Sequence, residues 1–319
     1  MVPPVSCSVI VPIFNEEQVL PELYRRLTTV MQSISSQYCL LFINDGSSDN
    51  SLEILKELHA KDSHVHIINF SRNFGHQAAL SAGYDHATGD FVVAIDADLQ
   101  DPPEVIPLMV EQWRNGYEVV YGIRTHRMGE GAFKLWTARL FYRVLSRLTN
   151  VSIPHDVGDF RLLDKRAVNA FQRIREKNRY IRGLVSWLGF RQTGVPFTRE
   201  PRFAGETKYP LRRMLKFALD GITTFSTVPL QLSSYLGLFV SCLCLLYLPY
   251  AFWLKFFTDR PVLGWTSLVV AVLFLGGVQL ITLGVIGEYI GRIYEEVKQR
   301  PLYIVSDTVG LSDSQEDDR

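Results

Sequence analysis

Val9-Ile10-Val11-Pro12-Ile13 is followed by Phe14-Asn15-Glu16-Glu17, and then by Val19, Leu20, Leu23, Leu27, Val30, Met31 and Ile34. A short β-branched run giving way to apolar residues at i, i+3, i+4 and i+7 reads as a strand and then a helix. The alternation continues outward through Leu40–Ile43, Val65–Phe70, Phe91–Ile95 and Val119–Tyr121, each a short apolar or β-branched run. Between the second and third runs, Asp49 is placed to cap a helix carrying Leu52, Leu55 and Leu58. Alternating β and α units predict an α/β domain with a largely parallel sheet covered on both faces. Ligands in such sheets bind beyond the carboxyl ends of the strands, so chemistry is sought there.

The four strand ends are polar and mostly acidic. Phe14-Asn15-Glu16-Glu17 follows the first, Asn44-Asp45-Gly46-Ser47-Ser48-Asp49 the second, Ser71-Arg72-Asn73-Phe74-Gly75-His76 the third and Asp96-Ala97-Asp98-Leu99-Gln100-Asp101 the fourth. Singly, each has a structural reading: a turn leading to an N-cap, or an Asx turn at Asp98 before Pro102-Pro103 opens a helix. Together they point to a ligand site. On an extended segment Asp96 and Asp98 point the same way, and Gln100 repeats the spacing. Oxygen ligands of this kind suit a hard divalent ion, Mg²⁺ or Mn²⁺. Such ions complete their shell with phosphate oxygens, so a nucleotide diphosphate is the expected guest. No GxGxxG follows the first strand and no GxxxxGK[ST] occurs, which argues against dinucleotide redox and P-loop chemistry.

The chain has 319 residues and a net charge of zero, so no global basic field favours nucleic acid. Its 47% hydrophobic and 21% charged content excludes a disordered chain. Cys7 and Cys39 read as buried strand residues and Cys242 and Cys244 as part of an apolar span, with no metal or disulfide spacing. Composition shifts beyond Pro229. Leu230 to Phe257 carries one charge, Lys255, and Trp265 to Ile286 carries none, each long enough to cross a bilayer. Thr258-Asp259-Arg260-Pro261 makes a short turn, predicting a two-helix transmembrane hairpin over about 230–257 and 264–288 within segment 229–290. Tyr235, Tyr247, Tyr250, Trp253 and Trp265 suit interfacial belts. Lys208, Arg212, Arg213 and Lys216 before the hairpin, and Arg292, Lys298 and Arg300 after it, predict a two-pass protein with both termini cytoplasmic. No signal peptide is expected. Segment 206–228, with Met214, Phe217, Gly221 and Phe225 at helical spacing, reads either as a helix on the membrane surface or as one packed on the catalytic domain at 1–205. Residues 291–319 form a C-terminal segment ending in a polar, acidic tail from Ser306, read as disordered.

The ordered series of strand-end motifs resembles the family 2 glycosyltransferases with a GT-A-type nucleotide-binding fold. Added to it are Gly158-Asp159-Phe160-Arg161-Leu162, Arg179-Tyr180-Ile181-Arg182-Gly183-Leu184 and Arg202-Phe203-Ala204-Gly205-Glu206-Thr207-Lys208-Tyr209. These are similar to the polyprenyl-phosphate branch, which includes bactoprenol glucosyltransferases, dolichol-phosphate mannose synthases and aminoarabinose transferases. The resemblance implies that Pro12, Phe14, Glu16 and Asp45 line the nucleoside pocket. Asp96 would lie near ribose and metal, Asp98 and Gln100 would hold the metal, and Arg202 and Lys208 would contact phosphate. Asp159 falls at the acceptor-side acid, and Asp98 and Asp159 are the residues expected to serve catalysis. Arg124, Arg139 and Arg143 are candidates for the lipid phosphate, the last two one helical turn apart.

The expected reaction is inverting transfer of a hexose, best matched by glucose from UDP-glucose, to a polyprenyl phosphate such as undecaprenyl phosphate. A GDP-mannose or aminoarabinose transferase is the alternative within the branch, and a tethered nucleotide-sugar binder without turnover is the alternative outside it. A processive polysaccharide synthase is disfavoured by the absence of QxxRW. Two spans leave no obvious sugar channel, so a separate flippase is expected as a partner. Gly276-Gly277 invites helix association into a homo-oligomer.

Overall fold

The first strand, β1 (Ser6–Ile13), is the axis of the domain. Its β-branched residues alternate sides: Val9, Val11 and Ile13 enter one buried cluster and Ile10 the other. A central parallel strand is covered on both faces, which is why its stretch Val9–Ile13 is continuously apolar. The computed structural model describes residues 5–125, 157–200, 228–257 and 264–311. In chain order the elements are β1, α1 (Leu20–Ile34), β2 (Gln37–Asn44), α2 (Ser51–Lys61), β3 (Val65–Phe70), α3 (His76–His86) and β4 (Phe91–Ala94). A 3-10 turn at Pro103–Val105 leads into α4 (Ile106–Arg114), then β5 (Val119–Arg124), β6 (Val157–Asp164), α5 (Lys165–Gln172), α6 (Ile181–Trp187) and β7 (Gln192–Phe197). Two long helices, α7 (Val228–Phe257) and α8 (Trp265–Val297), precede a last strand, β8 (Val305–Val309).

All eight strands form one sheet in the order β7-β5-β6-β4-β1-β2-β3-β8. β1 pairs parallel with both β2 and β4, β2 with β3, and β5 with β7, while β6 runs antiparallel between β4 and β5. The mostly parallel α/β sheet expected from the alternation is therefore present. The order of strand addition reverses across β1: β2 and β3 build to one side and β4 to the other. That reversal is a topological switch point, and ligands in such sheets bind there, beyond the carboxyl ends of the strands.

Leu20, Leu23, Leu27 and Met31 of α1 are fully buried with Ile106 and Met109 of α4 on one face. Ala79, Leu80 and Tyr84 of α3 pack with Val168, Phe171 and Leu184 on the other. At about 1.5–3 kcal/mol for each large apolar side chain buried, these two clusters dominate the stability of the domain. The Asp49 carboxylate accepts the Ser51 N–H at 3.1 Å at the start of α2, and Asn50 occupies the N-cap position itself.

Three expectations change. First, β4 ends at Ala94, and Asp96–Gln100 form a turn rather than an extended segment: Leu99 has φ 57°, and the Asp98 carboxylate accepts the Gln100 N–H at 3.1 Å. The Asx-turn reading of Asp98 is therefore the local geometry, and the argument that alternate residues on a strand share a side does not apply there. Second, residues Val305–Val309 are not a disordered tail. They add to the sheet as an antiparallel edge strand, with Ile67 opposite Val309 and Asn69 opposite Asp307. Third, α8 runs to Val297 rather than stopping near residue 288. Among the described residues, one helix, Val270–Val297, is long and apolar enough to cross a membrane, with mean hydropathy 2.2, and α7 adds a shorter apolar stretch at Val228–Val240. α7 contains Pro249 and packs along α8.

Candidate active site

Three strand-end loops are locked together. Asn15 sits in the left-handed region at φ 56°; its side-chain oxygen accepts the Ser48 N–H at 2.8 Å, and its own N–H donates to Ser47 Oγ at 3.0 Å. The Glu16 N–H donates to Ser51 Oγ at 3.0 Å, and the Glu17 N–H to the Asp49 carboxylate at 3.2 Å. The buried Asp45 carboxylate accepts the Phe74 N–H at 2.7 Å and the Gly75 N–H at 2.9 Å, so it fixes the loop after β3. Burial pushes the Asp45 carboxyl above its ordinary value against the pull of those two N–H groups. Of the residues expected at the nucleoside pocket, Pro12 is buried near the end of β1, Phe14 is exposed, and Glu16 is half-buried.

The centre of the site follows from register. Ala94 of β4 pairs with Arg161 of antiparallel β6. Two residues beyond Ala94 is Asp96, and two residues before Arg161 is Asp159, so the ladder brings the two acids to the same end of the sheet. His76, first residue of α3, stands between them, its Nε2 3.2 Å from an Asp159 oxygen and 3.5 Å from Asp96 Oδ1. Arg182 of α6 closes on Asp159 with two parallel bonds, from Nε and Nη2, each 2.9 Å. A bidentate guanidinium–carboxylate pair is among the strongest polar contacts in proteins.

Burial by itself raises the pKa of a carboxyl group; at Asp159 the Arg182 guanidinium and His76 outweigh it and hold the group well below the usual range. Burial likewise disfavours the charged imidazole, yet the two carboxylates overcome it and push His76 up to about 9. Asp96 goes the other way, raised by burial to about 6 despite the His76 charge. The site therefore presents an ionised acid clamped by two cations next to a second acid of near-neutral affinity.

Of the expected metal ligands, Asp96 and Asp98 share the turn after β4, while the Gln100 amide oxygen accepts from Arg199 and its carbonyl accepts the Glu200 N–H. Arg124, at the end of β5, pairs with the buried Asp101 at 3.0 Å. A Cβ at Gly158 would lie 2.6 Å from its Nη2, so the glycine makes room for that guanidinium. Arg139, Arg143, Arg202 and Lys208 lie outside the described residues, as do 206–227 of segment 206–228 and the turn at 258–261. His76 and Arg182 lie within quoted motifs, but no local signal in the sequence marks either as a partner of Asp159. They are far apart along the chain, and the packing of α6 against β6 brings them to one carboxylate.

Whether these residues fit a divalent ion is a matter of donor chemistry. Asp96 Oδ1 is buried and accepts no hydrogen bond; the His76 charge 3.5 Å away is beyond good hydrogen-bond length and leaves it acceptor capacity for a cation. Together with Asp98 in the same turn it offers hard carboxylate oxygens of the kind Mg²⁺ and Mn²⁺ prefer. His76, Asp96 and Asp159 also approach one another within 4.8 Å in ligating atoms, though Arg182 already occupies Asp159. The fit is met by the acids that follow β4.

Comparison with known proteins agrees with this geometry. Residues 8–171 match Glycosyl transferase family 2, and residues 228–293 match the GtrB C-terminal hairpin. The uncharacterized glycosyltransferase YkcC of Bacillus subtilis (strain 168) is 55% identical over 96% of this chain and 95% of its own. The SfII prophage-derived bactoprenol glucosyl transferase of Shigella flexneri is 43% identical over 93% of this chain and 96% of its own. The prophage bactoprenol glucosyl transferase homolog of Escherichia coli (strain K12) is 41% identical over 93% and 97%. With catalytic-domain and hairpin matches together spanning most of its length, the chain belongs to glycosyl transferase family 2, in the polyprenyl-phosphate group that includes the bactoprenol glucosyl transferases.

Proposed function

We propose that the protein is a membrane-anchored, metal-dependent inverting hexosyltransferase that moves glucose from UDP-glucose to a polyprenyl phosphate such as undecaprenyl phosphate. The observation that carries this reading is the meeting of Asp96, Asp98 and the Arg182–Asp159–His76 cluster at the switch point, in a chain whose C-terminal helices are apolar. Asp96 and Asp98 would hold Mg²⁺ or Mn²⁺, with Pro12, Phe14, Glu16 and Asp45 shaping the nucleoside side. Such an ion would supply electrostatic stabilisation of the negative charge that develops on a departing diphosphate.

A lipid phosphate oxygen attacks the anomeric carbon as its C–O bond to the diphosphate breaks, and the electron pair leaves with UDP. A phosphate monoester is already anionic near neutral pH, so no proton need be removed from the acceptor. Asp159 fits that need: with both oxygens engaged by Arg182 and His76, its role is to set those cations toward the crevice. They offset the repulsion between an anionic acceptor and an acidic donor site. Arg124 is a further candidate for the acceptor phosphate, along with Arg139, Arg143, Arg202 and Lys208.

Val270–Val297 and its partner helix act as a two-pass anchor, with the catalytic domain and both termini in the cytoplasm. Anchoring keeps the isoprenoid in the bilayer and avoids exposing it to water, at about 0.8 kcal/mol per CH₂. Flipping of the product falls to a separate protein, and the hairpin associates into a homo-oligomer. The test is a donor panel of UDP-glucose, UDP-galactose, UDP-N-acetylglucosamine and GDP-mannose, with purified protein, undecaprenyl phosphate and Mn²⁺. Glucose transfer to the lipid with inverted configuration supports the reading; transfer from GDP-mannose alone, or binding without turnover, overturns it.

A further inference from the structure

The chain does not end at α8. Its continuation touches both loops that supply the cations around Asp159. On one side, Tyr303 stacks on Phe70 at the end of β3, with ring centroids 5.1 Å apart and planes within 13°, and its hydroxyl donates to the buried Asp85 carboxylate at 3.0 Å. The Ser71 N–H donates to the Ile304 carbonyl at 3.0 Å, and Asn69 Nδ2 to the Asp307 carboxylate at 2.6 Å. Phe70 in turn meets Phe74 edge-on at 5.7 Å, within the loop that leads to His76. On the other side, at the end of α8, Glu296 accepts the Lys177 N–H at 2.9 Å, Glu295 accepts from Asn178, and Lys177 Nζ donates to the Arg300 carbonyl. That loop enters α6, which carries Arg182. The two loops are also tied to each other, because Gln77 Oε1 accepts the Ile181 N–H at 2.9 Å.

We propose that the segment Glu295–Val309 is a strap that sets the His76 and Arg182 loops, with Tyr303 its principal positioning residue. It links the helix expected to lie in the membrane directly to the geometry of Asp159. β8 completes an otherwise open sheet edge and holds the strap by main-chain bonds. Tyr303 fastens it at the one point where ring stacking and a buried carboxylate coincide. The role in transfer rests on the glycosyltransferase reading; the ordering of the loops does not.

The test compares wild type, a chain ending at Pro301, Tyr303→Ala and Tyr303→Phe, all detergent-solubilised and full length up to the stated change. Hydrogen exchange is followed at residues 72–77 and 179–183, and transfer kinetics are measured with UDP-glucose and undecaprenyl phosphate. Expected are faster exchange in both loops with α1 and β2 unchanged, and kcat lowered between about 10- and 100-fold, the scale of a misplaced catalytic group. The KM for UDP-glucose rises as well, because Phe74 and Gly75 of the loosened loop hold the Asp45 carboxylate, while the Asn15 clamp itself is untouched. Tyr303→Phe, which keeps the stack, recovers most of kcat. Unchanged exchange in the two loops overturns the proposal, and so does a fall in kcat accompanied by faster exchange throughout the sheet, which is general destabilisation. If wild type transfers no sugar, the functional reading fails while the exchange comparison still decides the strap.

Discussion

Replacing Arg182 with methionine removes the guanidinium that holds Asp159 while keeping much of its aliphatic volume. Asp159 is 4% exposed and would keep only the His76 contact at 3.2 Å. Removing one partner from a buried ion pair costs roughly 3–5 kcal/mol. The Arg182 side chain is 24% exposed and His76 continues to compensate the charge, so the low end, about 3 kcal/mol, applies. For a domain of this size that is a fall in melting temperature of roughly 6–12 °C. Thermal unfolding of the detergent-solubilised protein reads it directly. The double variant R182M/D159N completes the cycle: with no charge left stranded, it should lose at least about 1 kcal/mol less than the sum of the two single changes. A fall under about 2 °C for R182M, or strictly additive losses, would mean that Arg182 and Asp159 are not energetically coupled and that the clamp is not what holds the site.

Two further outcomes follow from the loops around it. Asp49→Ala removes the acceptor of the Ser51 and Glu17 N–H groups and should cost about 1 kcal/mol near neutral pH. Burial opposes ionisation of Asp49, but hydrogen bonds from Ser51 and Glu17 win and lower its pKa below 3.8. Its contribution is therefore present above that value and lost as pH falls through the folded pKa, so unfolding curves of variant and wild type should converge in acid and separate above about pH 4. Gly46→Ala places a Cβ 2.5 Å from the Arg72 carbonyl carbon at a position with φ 65°, against backbone that cannot swing away. Strain and overpacking together should cost about 2–4 kcal/mol and raise the KM for the sugar nucleotide, measured by initial rates; unchanged stability and KM would contradict the loop packing described.

Much of the fold was legible because its signal is local. Val9–Ile13 is buried on both faces and apolar throughout, Val65–Phe70 is mostly so with His66 and Asn69 half-buried, and α1 shows its buried stripe in Leu20, Leu23 and Leu27. Asp96 was legible as an acid at a strand end, and Asp159 only through the Gly158–Leu162 motif that the family resemblance supplied. Their partners were not, since His76 and Arg182 meet only through the antiparallel placement of β6 and the seating of α6. The turn at Asp96–Gln100 was hidden by an apolar strand that stops one residue earlier than its composition suggests. β8 was hidden for a different reason: Val305-Ser306-Asp307-Thr308-Val309 is short and polar, and its stability comes from β3, far away along the chain, rather than from its own pattern. The long C-terminal helix was read correctly as apolar, but helical hydrogen bonding carries it past its last apolar run into the charged residues that contact the catalytic domain.

In the proposed reaction the carboxylates after β4 would engage a metal-bound sugar nucleotide. The most direct measurement is glucose transfer from UDP-glucose to undecaprenyl phosphate by Asp98→Ala, with Mn²⁺ varied and thermal unfolding followed in parallel. The prediction is a loss of at least about 100-fold in kcat, with the melting temperature nearly unchanged, since Asp98 is half-buried in a turn outside both apolar clusters. Transfer at the wild-type rate with wild-type dependence on Mn²⁺ would contradict it.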